Sequence, residues 1–98
     1  MKLGWAEQAL NDREAIWLHI ALDNPTAASR LDTLFSESAQ SLVDFPNLGR
    51  PGQMPNTREI VPHESYRLVY RVEADQVVIL AVIHAARQWP PPPEGTRS

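Results

Sequence analysis

A chain of 98 residues with 43% hydrophobic and 21% charged side chains has the size and composition of one soluble globular domain with a single core. It contains no cysteine, which excludes disulfide frameworks, thiolate metal sites and cysteine nucleophiles and suits a reducing cytoplasm. A formal net charge of −3 argues against a protein that coats nucleic acid without specificity.

The charge is unevenly spread. Residues 1–47 carry three basic against seven acidic side chains, whereas residues 48–98 carry six arginines against five acids. Eight of the nine basic residues are arginine, whose planar fork matches phosphate and carboxylate groups. The N-terminus lacks the apolar core of a signal peptide. The longest apolar run, Val77 to Ile83, is seven residues, far below the ~20 that a membrane-spanning helix needs. A cytoplasmic protein without a membrane partner is the expectation.

Lys2 to Gly4 is a short extended segment suited to a sheet edge. From Ala6 to Leu22 the pattern is helical, with Ala6, Ala9 or Leu10, Arg13, Ile16 or Trp17, and Ile20 on one side. Asp23-Asn24-Pro25 ends this helix and starts another, Asn24 as N-cap and Pro25 in the first turn. The second helix runs to about Asp44, with Ala27, Leu31, Leu34, Phe35, Ser38, Leu42 and Val43 as its apolar stripe. So short a connection makes the two helices antiparallel neighbours. Phe45 to Asn56 holds three prolines and two glycines in twelve residues and is expected to be an irregular loop carrying Arg50.

Thr57 to Val61 reads as a strand and Pro62 to Ser65 as a turn. In the strand Tyr66 to Val72, Tyr66, Leu68, Tyr70 and Val72 share one face, and Arg67, Val69 and Arg71 share the other. Glu73 to Gln76 is a turn. Val77 to Ile83 is apolar on both faces, as in a central strand. Ala85 to Trp89 is expected to form a short turn, and Pro90 to Pro93 to stop regular structure. The domain is expected to span 1–90, with a proline-rich, disordered tail at 91–98. The fold class is α+β: an N-terminal helix hairpin packed on one face of a small, mainly antiparallel, twisted sheet. The opposite face is expected to be partly open, for a partner to cover.

Chemistry concentrates in the second half. Arg67 and Arg71 lie on one strand face and either line an exposed surface or pair with Glu59 and Glu73. His84 closes the last strand and is the best-placed general acid or base, and Arg87, three residues on, would share a cleft with it. His63 reads as turn surface and His19 as an exposed or packing residue of the first helix. The wide spacing of the three histidines gives no metal site. Tyr66 and Tyr70 read as core or cleft wall, and Trp89 as a residue that packs down the tail.

These elements and their residues together resemble the RelE/ParE superfamily of toxins from bacterial type II toxin–antitoxin modules, which includes plasmid-stabilisation proteins. The resemblance runs from about Trp5 to Pro90. It is carried by Trp5-Ala6, Asn24-Pro25-Thr26-Ala27-Ala28, Phe45-Pro46, Gly49-Arg50-Pro51-Gly52 and Thr57-Arg58-Glu59-Ile60-Val61. It continues through Tyr66-Arg67-Leu68-Val69-Tyr70-Arg71-Val72 and Ile83-His84-Ala85-Ala86-Arg87-Gln88-Trp89-Pro90.

Members similar to RelE cut messenger RNA on the ribosome without a metal, and members similar to ParE poison DNA gyrase. The RelE-like implication is an mRNA endonuclease with Arg67, His84 and Arg87 as catalytic groups, Arg50, Arg58 and Arg71 as substrate-binding groups, and no metal or cofactor. The ParE-like alternative is a gyrase inhibitor with no chemistry of its own. The chain departs from RelE-like enzymes in having Arg58 where they use lysines and Pro90 to Pro93 where they place a tyrosine. Both readings imply a cognate antitoxin as partner, with operator DNA contacted only through that antitoxin.

Overall fold

The computed structural model describes residues 1–91. In chain order the elements are β1 (Lys2–Trp5), α1 (Glu7–Ala21), α2 (Pro25–Asp44), β2 (Arg50–Pro51), β3 (Thr57–His63), β4 (Tyr66–Val72) and β5 (Gln76–His84). The strands form one sheet in the order β1-β5-β4-β3-β2. Only the β1–β5 pair is parallel; β2–β3, β3–β4 and β4–β5 are antiparallel. The helix pair packs on one face, which is the expected α+β architecture. The proline-rich tail lies outside the described residues beyond Pro91.

Asn24 begins α2 as its pattern requires. Its side-chain oxygen accepts the Ala27 N–H at 3.1 Å, and Pro25 occupies the first turn, where a missing N–H costs nothing. Asn24→Ala is expected to lower unfolding free energy by about 1 kcal/mol in a urea titration, because an orphan helix donor loses its acceptor.

The two helices bury different stripes from the same kind of spacing. In α1, Ala9 is fully buried and Ile16 packs against the core, leaving Leu10, Trp17 and Leu18 exposed. In α2 the buried residues are Ala28, Phe35, Ala39 and Leu42. The expected stripe is thus rotated toward two alanines, whose small side chains let helix and neighbour approach closely. Arg13 falls on the inner side of α1, as its spacing requires. Its guanidinium stacks 4.5 Å from the Trp5 ring and bonds Asp32 through Nε and Nη2 at 2.9 and 2.8 Å, and Ser36 at 2.8 Å. One side chain thereby ties β1, α1 and α2 together.

Between helices and sheet lies the core of Phe35, Leu42, Leu68, Tyr70, Val77 and Ile79, each under 2% exposed. Tyr66 meets Phe35 edge-on at 5.6 Å. This confirms the face assigned to Tyr66, Leu68 and Tyr70 by strand alternation. β5 is an interior strand, flanked by β4 and, over Gln76–Ile79, by β1. Past Ile79, β1 has ended, and Asp12 of α1 takes over by accepting the Val82 N–H at 3.0 Å.

Three local expectations are corrected. The proline-rich connection is not wholly irregular: Arg50–Pro51 forms a two-residue edge strand, where Pro51 needs no ladder donor. β3 does not stop at Val61 but reaches His63, with a register shift between Ile60 and His63 that absorbs Pro62. The face opposite the helices is more covered than expected, although Arg50 and Arg71 stay exposed on it. Val69 and Ala81 are buried there, and Glu59 is 4% exposed. The Gly52 turn lies against Thr57 and Glu59, and Arg67 donates to the Arg87 carbonyl, so loop and C-terminal segment both fold onto that face.

Candidate functional site

Strand register sorts the candidate residues, since directly paired residues share a face. Arg50 pairs Glu59 and Glu59 pairs Val69, so these stand on the face away from the helices, together with Arg67 and Arg71. Arg58 pairs Tyr70, and His84 pairs Tyr66, which puts Arg58 and His84 on the helix face. The six predicted residues therefore do not converge on one point.

Arg67 is only 15% exposed in its side chain and forms an ion pair with a buried acid. Its Nη1 donates to Glu59 Oε1 at 2.8 Å and its Nη2 to the Arg87 carbonyl, while Nε is buried without a partner. Arg50, 67% exposed, approaches the same Glu59 oxygen at 3.8 Å. Arg71 pairs Glu73 at 3.4 Å. Both acids are the partners that sequence position suggests. Arg58 spends its Nη1 on the Gly49 carbonyl at 2.8 Å.

That last contact belongs to a clasp around Tyr70. The buried phenol accepts the Gly49 N–H and donates to the Pro46 carbonyl, both at 2.8 Å, pinning the loop to the sheet. Burial pushes the Tyr70 phenol above its ordinary 10.0, opposed by the Gly49 hydrogen bond and the Arg58 charge. The folded state thus holds this proton more tightly than the unfolded one. Its contribution to stability is complete below the unfolded value, near pH 10, and declines as pH rises above it. Urea midpoints measured from pH 9 to 11 should fall more steeply for the wild type than for Tyr70→Phe, which lacks this proton.

His84 and Arg87 do share a cleft, of about 400 Å³, with Asp12, His19, Tyr66 and Val82 among its walls. Beside it lies a cavity of about 600 Å³, between the start of α2 and the β3–β4 turn. His63, Tyr66 and His84 line it, adjacent to one another in register across β3, β4 and β5. Tyr66 sits 6.1 Å from the His63 ring and 5.6 Å from the His84 ring. His63 Nδ1 accepts the Ser65 N–H at 3.0 Å, and His84 Nδ1 accepts the Ala86 N–H at 3.2 Å. Each neutral imidazole therefore carries its proton on Nε2 and offers a donor, not an acceptor.

His63 is the cavity-lining residue that the sequence reading placed in a turn. Reading Pro62 as a turn residue hid the alternation that continues past it. Among the described residues no group of three or more His, Asp or Glu side chains is placed to hold a metal.

Residues 3–89 match the family model of the ParE toxin of type II toxin–antitoxin systems, parDE. The chain belongs to this toxin family. It is 37% identical to the Y4kP protein of Sinorhizobium fredii over 90 residues, which cover 91% of this chain and 93% of that protein. It is 35% identical to toxin RelE2 of Caulobacter vibrioides over 83 residues, covering 85% and 93%. A solved structure of the chromosomal ParDE toxin–antitoxin system from P. aeruginosa superposes with a TM-score of 0.76 at 26% identity, covering 86% of this chain and 95% of that one.

The toxin is thus a RelE/ParE superfamily member, and membership of a type II module implies an antitoxin partner. No helix among its described residues is long and apolar enough to cross a membrane.

Proposed function

We propose that this toxin acts in the ParE manner, by gripping its target, DNA gyrase, without carrying out chemistry itself. The observation that supports this reading is the state of its arginines. Arg67 is neutralised by Glu59 at 2.8 Å, Arg71 faces Glu73, and Arg58 is spent on a backbone carbonyl. A phosphodiester-cleaving site needs cations preorganised toward charge that develops in the transition state. Here Arg58 and His84 stand on the sheet face opposite Arg67. The family match and the ParDE relative point the same way.

One observation favours mRNA cleavage instead. His84 and Arg87 share a cleft, and Arg87 makes no ion pair among the described residues. The RelE2 relative adds to that reading. Two assays on the purified chain separate the two: DNA supercoiling by gyrase and translation-dependent cutting of mRNA on ribosomes. The expected result is blocked supercoiling with intact mRNA; cut mRNA with normal supercoiling would overturn the proposal.

Arg87→Ala discriminates further. The residue is exposed, so folding stability should stay within about 0.5 kcal/mol of wild type. If the chain were a ribonuclease using Arg87, this variant would slow cleavage by ~100-fold. The expectation here is growth arrest on expression of Arg87→Ala, with mRNA uncut, relieved by co-expression of the antitoxin.

A further inference from the structure

The loop that Tyr70 fastens displays a cation and an aliphatic side chain that the core does not use. Tyr70 and Arg58 bond the N–H and carbonyl of Gly49, and the Gly52 N–H donates to the Thr57 carbonyl at 2.9 Å. Arg50–Pro51 is thus held from both sides as an edge strand. Gly49 turns its Cα toward the Tyr70 ring, while its two neighbours stay in solvent: Leu48 is 62% exposed and the Arg50 side chain 67%. Arg50 pairs Glu59 in antiparallel register, and two residues further along that register Leu48 comes opposite Val61, itself 53% exposed. An exposed aliphatic pair therefore borders Arg50.

Two guanidiniums face one carboxylate here. Arg67 takes Glu59 Oε1 at 2.8 Å, and Arg50 stands 3.8 Å from the same oxygen, beyond hydrogen-bond reach. Glu59 neutralises one charge, so Arg50 is the surplus cation. Acids outnumber bases seven to three in residues 1–47, so the chain is polarised between acidic helices and a cationic sheet rim. Such polarity turns the rim toward a negatively charged partner. A nucleic-acid backbone would answer Arg50 and leave Leu48 and Val61 in water. A cation set among aliphatic side chains is instead the composition of a protein–protein hot spot, and a rigid support lowers the ordering cost of binding.

We infer that Leu48, Arg50 and Val61 form the rim with which the toxin grips its protein target, against an acidic patch bordered by apolar side chains. The inference rests on the gyrase reading above and names the surface that serves it. A carboxylate of the target takes the Arg50 fork, and its apolar neighbours cover Leu48 and Val61 and exclude water from that bond.

The test measures inhibition of supercoiling and, separately, binding of the full chain to purified gyrase by surface plasmon resonance without DNA. The Kd and the concentration for half-inhibition should rise by at least about tenfold for Arg50→Ala, the worth of one charge-assisted contact, and by a smaller factor for Leu48→Ser. Rising salt should weaken wild-type binding, and Arg50→Ala should flatten that dependence. Arg30→Ala, which removes an exposed cation from α2, should leave both readouts unchanged. Arg67 still covers Glu59 in Arg50→Ala, and urea melts verify that each variant folds. Wild-type inhibition with an unchanged Kd in Arg50→Ala or in Leu48→Ser would overturn the rim and leave the gyrase reading standing. No binding and no inhibition by the wild type would overturn that reading and the rim's target with it. Binding that appears only with DNA present, and weakens in Arg50→Ala, would put a phosphate against Arg50 and overturn the acidic protein patch.

Discussion

Arg67→Ala is expected to destabilise the fold by about 3–5 kcal/mol, which for so small a domain removes much of its stability. Glu59 is 4% exposed and its Oε1 lies 2.8 Å from Arg67 Nη1. Without that guanidinium the carboxylate is left buried, with Arg50 as its remaining cation at 3.8 Å. A paired buried charge tolerates desolvation; a stranded one does not. The hydrogen bond from Arg67 to the Arg87 carbonyl is lost as well, freeing the segment after β5. Urea denaturation measures the effect directly. Arg67→Ala with wild-type stability would show that Glu59 is relieved by solvent or by Arg50. The corollary concerns toxicity assays: loss of growth arrest in this variant would report unfolding as readily as loss of function. Arg67→Ala combined with Glu59→Leu should recover a large share of the stability, because no charge is then stranded. Toxicity regained in that double variant would remove Arg67 from the functional site.

Gly49→Ala is the second change with a large expected effect, a loss of about 2–4 kcal/mol. A Cβ at this position would lie 2.7 Å from the Glu59 carbonyl and 2.7 Å from both Cε1 and Oη of Tyr70. The backbone of β3 and a fully buried ring leave no room to give. The methyl group would pry the loop off the phenol and break the bond from the Gly49 N–H to Tyr70 Oη. The Arg58 bond to the Gly49 carbonyl would go with it. Tyr70→Phe removes the same hydroxyl without the steric wedge and should cost less, leaving the Gly49 N–H and Pro46 carbonyl unpaired. A thermal melt of both variants orders them. Equal losses would mean that the hydrogen bonds, not the clash, dominate.

How much of this was legible in the chain differs from element to element. The helix hairpin was, because Asn24-Pro25 is a local signal and caps its helix through its own side chain. The faces of β4 were, because strand alternation is a geometric necessity. The extent of β3 was not, since Pro62 reads as a turn until a neighbouring strand supplies the bulge that accommodates it. The choice between Ala9 and Leu10, or Ile16 and Trp17, was also hidden. Both members of each pair fit the helical period, and the sheet selects which one it receives.

The site divides along the same line. The pairing of Arg67 with Glu59 and of Arg71 with Glu73 stood among the sequence alternatives, and a shared cleft for His84 and Arg87 followed from their spacing. The place of His63 did not, because its link to Tyr66 and His84 is a cross-strand register that the chain order conceals.

What the sequence by itself determined, then, was the α+β class, the order of elements and the toxin superfamily, all carried by local periodicity, capping and motif order. Only the tertiary structure decided which arginines are free. A guanidinium and a carboxylate eight residues apart become neutralised partners only when two strands pair in one register. The same register and the packing of α2 against the β3–β4 turn set Arg30, His63 and His84 around a cavity without a single carboxylate. Charge in a sequence is a sum, whereas charge at a site is a matter of distance, and distance is what folding sets.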